Sequence, residues 1–93
     1  MFKTNEYFDG KVKSIAFQSE SLPASVGVMA KGEYVFSTGV KEKMTVISGA
    51  LTIQFSDSDE SHTYNPGESF DVPANSSFNV SVAADSSYLC LYG

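Results

Sequence analysis

Ninety-three residues, 42% hydrophobic and 13% aromatic, suffice for one domain (1–93) with one modest core and exclude a disordered chain. The formal charge of −5, with 11 acidic residues, six lysines and no arginine, argues against nucleic-acid backbones and anionic membranes as partners and leaves any phosphate site without a guanidinium fork. The lone Cys90 excludes an internal disulfide, no run approaches the ~20 apolar residues of a membrane span, and the polar N-terminus has no signal-peptide core, so the chain reads as cytoplasmic.

The first turn signal is Asp9-Gly10. Just before it, Tyr7 and Phe8 stand side by side and either fold back onto their own domain or pair with a second copy across a two-fold axis; a homodimer is expected. Ser19 to Ser25, containing Pro23, reads as a loop, and Lys31-Gly32 as the next turn. In Glu33 to Ser37 the apolar Tyr34 and Phe36 share one face of a strand. The best helical candidate, Gly39 to Met44, is too short to shape the fold. Met44 to Ile47 and Ala50 to Phe55 flank Ser48-Gly49 and predict a tight hairpin. The acidic stretch Ser56 to Ser61 reads as a solvated hairpin loop, and Asn65-Pro66-Gly67 suits a type II turn. After the turns at Pro73-Ala74-Asn75 and Ala84-Asp85 come the alternations Phe78, Val80, Val82 and Tyr88, Cys90, Tyr92. Leu89 and Leu91 make the last strand apolar on both faces, which predicts a central position. Many short strands with regular turns predict an all-β sandwich or barrel.

Spacing narrows this further. Glu42, six intervening residues and Gly49, then Gly67, five residues and Pro73, resemble the two cupin motifs, which implies a cupin-type jelly-roll barrel. In a metal-binding cupin, histidines would fall at Phe36, Thr38 and Phe78 and a glutamate at Glu42. Glu42 alone is a ligand type, so no metal is expected. Phe36 and Phe78 either line a pocket for a flat ligand or simply fill the core, and residue type alone favours the core. The only histidine, His62, follows the acidic loop and reads as a surface residue.

The strings NEYFDGKVKSI, ASVGVM, GEYVFST, EKMTVISGAL, PGESFDVP and SYLCLY, in order along nearly the whole chain, resemble the small cupin-type pyrimidine/purine nucleoside phosphorylases. That resemblance implies phosphorolysis of purine and pyrimidine nucleosides to free base and ribose 1-phosphate, with inorganic phosphate as co-substrate and no cofactor. It assigns no individual residues, so the site is read from cupin geometry. Glu42 is the candidate to accept hydrogen bonds from ribose hydroxyls and to place negative charge near the oxocarbenium, with Thr38, in phase with Phe36, as its companion. Tyr34, Phe36, Phe70 and Phe78 are candidates to sandwich the base. Ser37 and Thr45 are further hydroxyl candidates, although they alternate out of phase with Phe36 and Met44. Lys41 or Lys43 would face phosphate, and Tyr88 and Tyr92 would donate from a neighbouring strand. Each has a plain alternative: the lysines in a solvated turn, the aromatics in the core, Cys90 as a small buried hydrophobe. The competing function is a non-catalytic cupin that binds a small metabolite.

Overall fold

The computed structural model describes all 93 residues, which form ten strands and no helix. In chain order these are β1 (Thr4–Tyr7), β2 (Val12–Gln18), β3 (Pro23–Met29), β4 (Gly32–Ser37), β5 (Glu42–Ser48), β6 (Leu51–Phe55), β7 (Ser61–Tyr64), β8 (Ser69–Val72), β9 (Ser77–Val82) and β10 (Ser86–Tyr92). They build two antiparallel sheets, β1-β2-β3-β10-β5-β8 and β4-β9-β6-β7. The strand alternation turns Tyr34, Leu51, Ile53, Phe78 and Val80 of the smaller sheet towards Val12, Met29, Met44, Val46 and Cys90 of the larger one. Fourteen buried side chains form this single core. β10 lies between β3 and β5, the central position that its two apolar faces predict. No helix is long and apolar enough to cross a membrane.

Three local expectations are corrected. Ser48-Gly49 does not close a hairpin: β5 pairs with β10 and β8, whereas β6 pairs with β7 and β9, so the chain crosses there from one sheet to the other. Ser86 pins this corner, its Oγ accepting from Ala50 N–H (3.1 Å) and donating to Ala84 C=O (2.9 Å). Gly49 is a glycine because a Cβ there would collide with that serine. Gly39 to Met44 holds no helix, since Glu42 already begins β5. The loop over Ser19 to Ser25 is shorter than expected, because Pro23 opens β3 opposite Gln18, a strand start where its missing N–H is harmless. Ser19 closes the turn, its Oγ donating to Leu22 C=O (2.6 Å).

The acidic stretch after Phe55 does connect a hairpin, β6 to β7. Asn65-Pro66-Gly67 is a turn closed by Glu68 N–H donating to Asn65 C=O (2.9 Å), with Gly67 at φ 88°, the type II form.

The β1–β2 hairpin shapes one end of the space between the sheets. Its tip runs through three left-handed residues, Phe8 (φ 53°), Asp9 (φ 58°) and Gly10 (φ 84°). For Phe8 this conformation costs about 1–2 kcal/mol. Ring packing offsets it: Phe8 lies 5.0 Å from Tyr34 and 5.5 Å from Phe36, centroid to centroid. Tyr7 and Phe8 therefore fold back onto their own chain.

Candidate active site

The inward face of the larger sheet can be read in rows. Ser14, Gly27, Tyr88 and Val46 are register partners across β2, β3, β10 and β5. Two residues further along the strands the row is Ala16, Ser25, Cys90 and Met44, and the next one places Tyr92 beside Glu42. Between these rows and Phe36 and Phe78 of the smaller sheet lies a hollow of about 190 Å³, with Tyr7 of the hairpin also on its wall. It is smaller than the ~300–1,000 Å³ usual for a drug-sized ligand. Ser37 borders both this hollow and an open polar cleft of about 650 Å³ that also touches Thr38, Asp57, Asn75 and Ser76.

Glu42 supplies the only carboxylate on the hollow. Desolvation holds its pKa above the usual carboxylate range, opposed in part by Cys90, whose Sγ–H donates to Oε1 at 3.4 Å. The same burial, reinforced by the neighbouring carboxylate, pushes the Cys90 thiol up to about 12 and keeps it protonated. Tyr92 shares a hydrogen bond of 2.7 Å with Ser25, and burial raises its phenol as well. Phe36 and Phe78 stack at 5.8 Å and 26° with both rings against the hollow.

Of the residues singled out from sequence, Glu42, Phe36, Ser37, Phe78, Tyr88 and Tyr92 meet on this one hollow. The others lie elsewhere. Thr38 is buried and tied to the turn after β8, donating to Pro73 C=O (2.7 Å) and accepting from Ser76 N–H (3.1 Å). Tyr34 is core, its hydroxyl donating to Ala30 C=O (2.6 Å). Phe70 is core, stacked on Tyr64 at 4.5 Å. The alternation that turns Glu42 inward turns Lys43 outward beside Leu91, and Thr45 outward to Ser69 (2.7 Å). Lys41 is exposed before β5. No lysine lines the hollow. His62 is exposed on β7, 3.8 Å from Glu60.

Five wall residues escape a sequence reading of the site: Tyr7, Ser14, Met29, Met44 and Cys90. A histidine-type cation site does not fit either. No three His, Cys, Asp or Glu side chains converge anywhere, and phenylalanine rings occupy positions 36 and 78.

Solved structures share this architecture. A crystal structure of a protein of unknown function from Vibrio parahaemolyticus is 46% identical and superposes with a TM-score of 0.96 over 100% of this chain and 99% of that one. One from Acinetobacter sp. ADP1 is 34% identical, with a TM-score of 0.91 over 98% and 90% of the two chains. The likeness of architecture extends to Fe(II)-HppE, at 11% identity and a TM-score of 0.83 over 99% of this chain and 56% of that one, a likeness of fold alone. Curated proteins named pyrimidine/purine nucleoside phosphorylase match end to end. That of Cellvibrio japonicus is 61% identical over 99% of both chains, and that of Hahella chejuensis 55% identical over 100% of both. The family model described as pyrimidine/purine nucleoside phosphorylase matches residues 2–92, and the chain belongs to that family.

Proposed function

We propose that this chain cleaves purine and pyrimidine nucleosides with inorganic phosphate, releasing free base and ribose 1-phosphate, without a metal or other cofactor, and that its two sheets work as a cupin-type jelly roll around the reacting atoms. The observation that carries the reading is the single carboxylate of Glu42 set among aromatic rings in the hollow between the sheets of a full-length family member. In the reaction an oxygen of hydrogen phosphate bonds to C1′ while the C1′–N bond breaks, its electron pair leaves on the base, and the phosphate's proton ends on the base. None of this needs a covalent enzyme intermediate.

Glu42 accepts hydrogen bonds from the ribose hydroxyls and stabilises the positive charge that develops on the sugar. Phe36 and Phe78 offer a flat surface on which either base class stacks, because every base has a π-face. The single carboxylate and the protonated thiol of Cys90 make a poor ligand set for a first-row metal. The sugar reaches towards Ser37, which the hollow shares with the polar cleft. A second copy packs on the outer face of the larger sheet, where Ile15, Val26 and Val28 are exposed beside Leu89.

The test is incubation with uridine and with adenosine, each with and without phosphate, reading free base by chromatography. Phosphate-dependent release from both, unaffected by a chelator, is expected. No release from either substrate would leave only a metabolite-binding role.

A further inference from the structure

Two hydroxyls in the hollow have no partner in the protein. Ser14 and Tyr88 are 5% and 6% exposed, and both line the cavity. Neither side-chain oxygen is hydrogen-bonded to the protein, and neither is sealed away, so both open into the hollow. Other buried hydroxyls are occupied: Tyr34 by Ala30, Thr38 by Pro73, Ser25 by Tyr92, Ser86 by Ala84. An unpaired hydroxyl in so enclosed a place is costly unless something else fills its hydrogen-bonding capacity.

The backbone brings these two groups together. Ser14 and Tyr88 are both register partners of Gly27, one from β2 and one from β10. A Cβ on Gly27 would stand 2.5 Å from Tyr88 Oη, so the hydroxyl end of the phenol lies over the glycine and its oxygen reaches β3, the strand between β10 and β2. Gly27 thus admits the ring. Burial pushes the Tyr88 phenol up to about 12, which keeps it a donor at any working pH.

The hollow holds one anionic group and no cation. Along β10 the row containing Glu42 is four residues from that of Tyr88, about 13 Å at ~3.3 Å per residue. An incoming oxyanion is repelled by the carboxylate and attracted by neutral O–H donors, so it settles at the end that Ser14 and Tyr88 line. We propose that Ser14 and Tyr88 receive the phosphate co-substrate, two neutral hydroxyls standing where an arginine or lysine would be expected, with Gly27 positioning the tyrosine. This deepens the phosphorolysis reading above and rests on it. Phosphate oxygens not engaged in attack accept the two hydrogen bonds, while the nucleoside spans from there to Glu42.

Initial rates with uridine and phosphate varied separately test this. Tyr88→Phe and Ser14→Ala each remove one oxygen and little volume. Each should raise KM for phosphate about tenfold, the worth of one neutral hydrogen bond, with KM for uridine within about twofold of wild type. Gly27→Ala keeps both hydroxyls and displaces the ring, and should show the same split. Because that variant also strains the sheet, the two hydroxyl deletions decide the matter. An unchanged phosphate KM in both, or an equal rise for uridine, overturns the proposal while leaving phosphorolysis intact. Wild-type protein that releases no base in the presence of phosphate takes both readings down.

Discussion

Glu42 is ionised at a cost. Its carboxylate is half-desolvated, and the one protein donor that reaches it is the weak S–H of Cys90 at 3.4 Å. A glutamate with a raised native pKa binds its proton more tightly folded than unfolded. Stability therefore falls as pH rises from the ordinary carboxylate range through the raised value, and the loss is complete above it. Glu42→Gln keeps the shape and removes the charge. It should raise Tm at pH 8 by a few degrees, solvent screening keeping the gain modest, and the difference from wild type should vanish in acid. The same variant should lose about 10²-fold in kcat, because in the proposed role the charge that burdens the free fold is the one that supports the transition state. Wild-type turnover should correspondingly decline as acid protonates Glu42. Thermal melts and rates from pH 4 to 8 check all of these, and a Gln variant with unaltered turnover would displace Glu42 from the site. The inward aim of Glu42, Phe36 and Phe78 was legible from period-two alternation and cupin spacing. Ser14 was not, because β2 shows the reverse of the usual pattern, with Ile15 exposed and the serine inside.

At the scale of elements, the β1–β2 hairpin couples backbone strain to the wall of the hollow. Phe8 holds a left-handed conformation while its ring rests on Tyr34 and Phe36, and that contact keeps Tyr7 against the cavity. Alanine at position 8 loses the ring and retains the strain; glycine loses the ring and relaxes the strain. Phe8→Gly should therefore be more stable than Phe8→Ala by about 1 kcal/mol in urea unfolding, reversing the order seen inside ordinary strands. Equal midpoints for the two would remove strain from the account. Strands and turns were readable here wherever alternation met a turn residue, as at β9, β10 and Asn65-Pro66-Gly67. Ser48-Gly49 misled because a corner between two sheets needs the same glycine that a hairpin does. What separates the two cases is the partner on the next strand, here Ser86, which is 37 residues further on and invisible to local pattern.

Seen whole, the molecule turns a row of aliphatic side chains outward. Ile15, Val26 and Val28 stand 47%, 40% and 54% exposed on adjacent strands of the larger sheet, beside the half-buried Leu89 and Leu91. A patch of this kind on a sheet face suits self-complementary pairing. Light scattering at micromolar concentration should give twice the 10.0 kDa chain mass, and Val26→Asp should halve it without touching the hollow. A wild-type monomer would refute the pairing. Inside, on the phosphate placement proposed above, a wall that carries neither lysine nor arginine sets how the protein meets its inorganic reactant. Uncharged dipoles compete with bulk water on nearly even terms for a small anion, so occupancy follows the surrounding concentration instead of saturating early. Throughput then becomes a gauge of how much mineral phosphate the surroundings hold.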